Sequence, residues 1–351
     1  MCWAPFSGGA GPSPSSEPIV TDNWVKGSDD VAAVQVDVFI ALLLGLSRVN
    51  IMSGVCGNLA GMQQRRIGER QVSAIGLGGM PMSIEGRPSE EQSIATIHAA
   101  LDAGVTFIDT ADAYHRDADE VGHNEILIAK ALKQAGVSQD DVLVATKGGH
   151  LRPGDGRWTQ NGDPRYLKQA AKASAQRLGV GSIGLYQFHR PDPSVSYADS
   201  VGAIRELLDE GVIEMAGISN ASTEQIKLAQ GILDGRLVSV QNQFSPVYLN
   251  SWPELETCDE MDLAFLPWSP LGGIARARSG ELGAEYAPFL EIAEAHGVSP
   301  FQVTLAWELA LSPRVIPIPG ASKPASIIDS AKAADLVLTD DEVARLSAIR
   351  G

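Results

Sequence analysis

Cysteine is scarce: Cys2, Cys56 and Cys258 are the three in 351 residues, and they are scattered with no metal-ligand spacing. That argues against a disulfide framework and fits a reducing compartment. Basic residues are also outnumbered, 27 Lys and Arg against 43 Asp and Glu, for a formal net charge of −16. A nucleic-acid partner would want a basic face, so that class is set aside. The acidity itself points to no chemistry, because a solvated acidic surface is its commonest meaning. No stretch reads as a membrane span. The apolar run VFIALLLGL, Val38 to Leu46, has nine residues, whereas a bilayer core of about 30 Å needs roughly 20. Nor does it read as a signal peptide, since acidic rather than basic residues precede it and it lies far from the start. The expectation is a cytoplasmic protein with no membrane and no nucleic-acid partner.

What is present is ordinary globular usage, 44% hydrophobic and 20% charged, enough for one large α/β domain or two small ones. The opening MCWAPFSGGAGPSPSSEP is rich in Gly, Pro and Ser and is expected to be disordered. An amphipathic helix at the apolar run is the most structure expected before residue 62. Met62 opens MQQRRIGERQVSAIGLGG, which reads as a natural domain start and a candidate native start, with two short strands around a tight turn at Gly68–Glu69. The chain thus divides into a low-complexity extension, 1–61, and a domain, 62–351.

Within the domain, β-rich runs alternate with helical patterns. The runs are SAIGLGG (73–79), TFIDTA (106–111), DVLVATK (141–147), IGLYQFHR (183–190), EMAGISN (214–220), VSVQNQF (238–244), LAFLPWSP (263–270) and RVIPIPG (314–320). Alternation of this kind signals βα units and a parallel sheet. Helix starts are legible between the runs: Ser89 to Gln92 matches a capping box, and Asp163-Pro164 and Ser299-Pro300 each place a cap before a proline at the first helical position. Eight such units in about 250 residues make a (β/α)8 TIM barrel with an N-terminal β-hairpin; a doubly wound open sheet is the alternative. Gly179 to Gly184 spells G-x-G-x-x-G, but a dinucleotide fingerprint needs a strand before it and a helix after it. Here the order is reversed, so Gly179 reads as a helix C-cap.

In such a barrel, functional side chains come from the C-terminal strand ends. Here the second strand ends at Asp109 with Tyr114 just beyond, the third at Lys147 and the fourth at His189. The fifth ends in Ser219-Asn220, the sixth carries Gln241 and the seventh ends in Trp268-Ser269. Singly, each has a bland meaning: a loop cap, the edge of solvent, a hydrogen-bonded structural histidine. Four reactive types on consecutive tips of one mouth are harder to assign to chance. They also make chemical sense together. A phenol with a pKa near 10 is a poor acid at pH 7, and a nearby ammonium lowers that value. Lys147 supplies the ammonium, Asp109 holds and balances it, and His189 orients a carbonyl or bonds the tyrosine. Such a site protonates a carbonyl oxygen as a hydride reaches carbon, and the hydride must come from a cofactor.

The blocks GVTFIDTADAY, VLVATKGG, LYQFHRPDP, GISN, VQNQFS, PWSPLGG and IPIPGAS, in this order from about Gln63 to the C-terminus, closely resemble the aldo-keto reductase family. The resemblance implies a catalytic tetrad of Asp109, Tyr114, Lys147 and His189. It further implies a nicotinamide cofactor in the barrel mouth without a Rossmann motif. Ser219, Asn220 and Gln241 would hold the carboxamide, Trp268 would stack on the nicotinamide, and Gly79 and Met80 would line the first strand's tip. Ser269 and Leu271 would meet the pyrophosphate, and Gly320, Ser322, Lys323 and Ser326 the adenosine phosphate end. Where many members carry Arg or Gln and then Asn in the eighth helix, this chain has Ser326 and Ser330, so NADP, rather than the alternative NAD, leans on Lys323 alone.

The expected activity is NADPH-dependent reduction of an aldehyde or ketone. Two alternatives remain: an NAD-dependent dehydrogenase oxidising a sugar or alcohol, and a cofactor-binding regulatory subunit of a membrane channel. Substrate choice is expected from the loop GGHLRPGDGRWTQNGDP (148–164), where His150 and Trp158 are candidates to reach the pocket that the sequence does not place, and from the C-terminal segment. Neither the substrate nor the oligomeric state is legible.

Overall fold

A computed structural model describes residues 62–274 and 282–350; the expectations for residues 1–61 lie outside them. The hairpin is present as β1 (Gln64–Ile67) and β2 (Arg70–Ser73), antiparallel about Gly68 at φ 54°, a left-handed turn that glycine adopts without penalty. Then follow β3 (Leu77–Gly78), β4 (Phe107–Asp109), β5 (Leu143–Gly148), a small antiparallel pair β6 (His150–Leu151) and β7 (Thr159–Gln160), β8 (Leu185–Phe188), β9 (Ala216–Ser219), β10 (Leu237–Gln241) and β11 (Ala264–Phe265). Seven of these form one parallel sheet in the order β11-β10-β9-β8-β5-β4-β3. Each new strand is laid beside the previous one, which a doubly wound sheet does not do.

The eighth run closes the sheet into a barrel without registering as a continuous strand. Pro317 and Pro319 have no N–H to give, so the run bonds by alternation. The N–H groups of Ile316 and Ile318 donate to the carbonyls of Phe265 and Pro267, and the carbonyls of Pro317 and Pro319 accept from Gly76 and Gly78. Isolated parallel bridges join Val315 to Phe265 and Gly320 to Gly78. The barrel is closed through a strand that two prolines interrupt.

Alternate strand residues face opposite sides, and here the two faces carry different chemistry. Outward-facing Ile108 and Val144 pack with helical Ile97 and Ile128, and outward-facing Tyr186, Ile218, Val240 and Phe265 join helical Trp307. Inward-facing Phe107, Leu143, Leu185, Ala264 and Ile316 pack with Ile67 and Val72 of the hairpin, which stoppers the barrel's lower end. Nearer the C-terminal strand ends, the same inward face turns polar with Asp109, Lys147, Gln187, Ser219 and Gln241, all buried.

The helix starts follow the caps. Ser89, Asp163 and Ser299 each accept backbone N–H groups from the first turn they precede. The first is not a full capping box: the Gln92 side chain donates instead to the Ser322 carbonyl, 2.7 Å away, tying this helix to the eighth loop. Gly179 is the left-handed C-cap of the helix Pro164–Leu178, at φ 72°. Among the described residues no helix is long and apolar enough to cross a membrane, and no His/Cys/Asp/Glu cluster suits a metal ion.

Candidate active site

At the C-terminal end of the barrel, Lys147 commits all three ammonium protons. Its Nζ donates to Asp109 Oδ1 at 2.7 Å, to the Thr110 carbonyl at 2.7 Å and to Tyr114 Oη at 3.0 Å. Asp109 Oδ2 accepts from Gln241 Nε2 at 2.7 Å and, more weakly, from Gln187 Nε2 at 3.4 Å. Tyr114 Oη therefore serves Lys147 as an acceptor, which leaves the phenolic proton free for another partner. His189 stands across from it, ring centroids 5.8 Å apart and nearly perpendicular. These four side chains are buried, Lys147 completely so.

The electrostatics follow from that burial. Removal from water works against the charge on Lys147, but Asp109 and the tyrosine oxygen outweigh it and hold the pKa above the ordinary value. Tyr114 departs from the sequence-based expectation. Lys147 does favour the phenolate, yet burial acts more strongly and raises the pKa above its ordinary value. In this state the phenol keeps its proton. Burial, then the positive charge of Lys147, pushes the His189 pKa well below the usual histidine value, so the ring is neutral, and its Nδ1 has no hydrogen-bond partner.

These groups open on a cavity of about 430 Å³. Its lining includes the expected Met80, Asp109, Tyr114, His189, Ser219, Asn220, Gln241, Trp268, Ser269, Leu271 and Gly320. Gly79 lies just behind the wall, its N–H given to the Asp109 carbonyl, and Gly78 lines the cavity in its place. Ser322, Lys323 and Ser326 are not part of the lining. Lys323 is exposed just before the helix Pro324–Ala331, and its side chain makes no hydrogen bond or ion pair among the described residues.

One wall is suited to a flat amide-bearing ring. Trp268 Nε1 donates to Asn220 Oδ1 at 3.2 Å, which pins the indole. Asn220, in left-handed backbone at φ 55°, spends its amide protons on the His189 carbonyl at 3.0 Å and Ser219 Oγ at 2.9 Å. With Gln241 Nε2 turned to Asp109, Gln241 Oε1 and the second lone pair of Asn220 Oδ1 can accept from an entering carboxamide. Beside them Gly78 and Gly320 approach so closely that a Cβ on Gly78 would sit 2.8 Å from the Ile318 carbonyl. The residues present fit a nicotinamide.

Other lining residues went unassigned at the sequence level. His150 stacks on Trp158, centroids 4.6 Å apart, and meets His189 edge-on at 4.8 Å. The pair β6 and β7 carries this wall, with Arg152 packed over the Trp158 ring and bonded to the His115 carbonyl and to Glu85. Arg190 also lines the cavity. Strand alternation predicts that it points away from His189, but β8 ends at Phe188, and beyond a strand end the alternation no longer holds. Gln187 was legible in principle, since it lies inward by the same parity as Lys147.

Fold and site together define a (β/α)8 barrel that gathers a buried Asp–Lys pair, a tyrosine and a histidine at its strand tips around one cavity. The sequence profile of the Aldo/keto reductase family matches residues 74–350, and the chain belongs to that family. An oxidoreductase of Schizosaccharomyces pombe is 33% identical over 305 residues, covering 86% of this chain and 94% of its own. Among solved structures, the thermostable aldo-keto reductase Tm1743, in complex with the inhibitor epalrestat, is 26% identical with a TM-score of 0.69, covering 82% of this chain and all (100%) of its own. An aldo/keto reductase from Klebsiella pneumoniae, solved with NADP and acetate, is 25% identical with a TM-score of 0.66, covering 82% and 95% of the two chains.

Proposed function

We propose that the protein is an NADP(H)-dependent carbonyl reductase, converting an aldehyde or ketone to the alcohol with Tyr114 as the proton donor. The observation that carries this reading is the hydrogen-bond direction at Tyr114. Lys147 donates to Oη, so the phenolic proton is available to a carbonyl oxygen in the cavity. As that oxygen gains negative charge, Tyr114 gives up its proton, and Lys147 stabilises the phenolate left behind. Asp109, fixed by Gln241 and Gln187, keeps the ammonium aimed. Neutral His189 offers a ring N–H without placing a second positive charge beside Lys147. Bound NADPH would supply the hydride that no side chain carries.

Trp268, Asn220, Ser219 and Gln241 would hold the nicotinamide end, and the backbone about Gly78 and Gly320 would admit the cofactor closely. The proposed preference for NADP rests on Lys323, whose exposed side chain has no partner among the described residues and precedes the helix that follows the eighth strand run; its ammonium would pair with a 2′-phosphate. A panel of aldehydes and ketones assayed with NADPH and NADH separately tests the reading, with NADPH-dependent turnover expected. Lys323→Ala should weaken NADPH at least about fivefold and leave NADH nearly unmoved. No turnover of any carbonyl with either cofactor would refute the reductase reading. Equal loss of both cofactors in Lys323→Ala would remove the case for NADP.

A further inference from the structure

The cavity contains one formal charge that nothing among the described residues cancels. Asp109, the one carboxylate among the described lining residues, is paired with Lys147 and bonded to Gln241. His150 and His189 are both held neutral, His150 with its pKa pushed down to about 4 by burial and then by Arg190, Lys147 and Arg152. Arg190 is different. It is partly buried, lines the cavity and forms no ion pair or side-chain hydrogen bond with any described residue. The nearest acid along the chain, Asp192, is occupied by Gly162 and Ser194. The Arg190 charge is nonetheless felt in the site, where it adds to the forces lowering the pKa of both histidines and favouring the phenolate of Tyr114.

We infer that Arg190 is the anion-recognising residue of the substrate pocket, and that the carbonyl compounds taken there carry a carboxylate. The inference rests on the reductase reading for the carbonyl and goes beyond it in naming the substrate class. A guanidinium presents a planar fork that matches a carboxylate in two parallel hydrogen bonds. In a partly desolvated cleft such a pair is worth more than on an open surface. The chain's net charge of −16 repels anions at long range, so an acidic substrate needs a local cation to be retained. Other residues lining the same cavity, Trp158 and Met80 with the neutral His150, suit an uncharged body between the carbonyl and the anion.

The test compares 4-carboxybenzaldehyde with its methyl ester, methyl 4-formylbenzoate: the same ring and aldehyde with the charge removed. The wild-type protein should favour the acid in kcat/KM, mainly through KM, and the preference should shrink with added salt. In Arg190→Met the acid-to-ester ratio should fall at least about tenfold, and Arg190→Lys should restore part of it. Calorimetric binding of terephthalate, which has no aldehyde to reduce, is measured alongside. It should weaken at least about tenfold in Arg190→Met. If neither aldehyde turns over but terephthalate binding falls in this way, the reductase reading fails and the role of Arg190 stands. An unchanged ratio with unchanged terephthalate binding, or no terephthalate binding by the wild type, overturns the inference. So does a loss in Arg190→Met confined to NADPH affinity, which would assign the guanidinium to the cofactor.

Discussion

His150 shows how strongly a pocket's surroundings can set one side chain. An unfolded histidine titrates near 6.5, whereas burial and three nearby cations push this one to about 4. Between those values the unfolded chain takes up a proton that the folded chain refuses. Its contribution to stability is therefore complete above about pH 6.5 and is lost as pH falls through about 4. At about 1.4 kcal/mol per pKa unit, the loss is at most roughly 3 kcal/mol. His150→Gln removes that term, so thermal melts near pH 7 and near pH 5 should show the variant losing less stability on acidification than the wild type. Equal losses would show that His150 is solvated in the folded protein. Among single residues, Asp109, Lys147 and Gln241 were legible in the sequence because strand parity fixes which way each points. The direction of the Tyr114 pKa was not, because it depends on burial winning over a neighbouring charge, and sequence carries no measure of burial depth. Arg190 escaped because the strand that would have oriented it stops two residues earlier.

Elements were legible where local chemistry marks their ends. Ser299 caps the helix Pro300–Leu311, accepting from Gln302 N at 3.1 Å, and its own hydroxyl donates to Asp329 Oδ2 at 2.6 Å. It joins two helices that follow the seventh and eighth strand runs. Ser299→Ala should destabilise the protein by about 1 kcal/mol, read as a lower urea midpoint at unchanged slope, and Ser299→Thr should recover much of that. No change in midpoint would mean that water replaces the cap at no cost. Strand lengths were less legible. Runs of seven or eight residues became two-residue strands at Leu77–Gly78 and Ala264–Phe265, because Pro267, Pro317 and Pro319 cannot donate to a ladder. The pair β6 and β7 was missed because it is only two residues wide on each side, too short for strand alternation to show, although Pro153-Gly154 and Asp155-Gly156 between its strands are turn dipeptides.

The barrel as a body is stoppered by its own hairpin, with Ile67 and Val72 packed into the lower interior. A chain beginning at Met62 retains that hairpin entire, and we propose that residues 62–351 are the folding unit. Such a chain should be soluble, bind cofactor and turn over at the full-length rate; loss of solubility or activity would make residues 1–61 part of the working fold. Everything in the barrel converges on one hydroxyl: the apolar lower layer, the polar layer above it and the Lys147 proton that fixes Tyr114 as an acceptor. The most direct test is single-turnover reduction by Tyr114→Phe with NADPH and a carbonyl substrate, compared with the wild type. Phe keeps the ring, so cofactor affinity should stay within a few-fold while the rate falls about 10²-fold or more. A variant that keeps most of the wild-type rate would contradict proton donation by Tyr114.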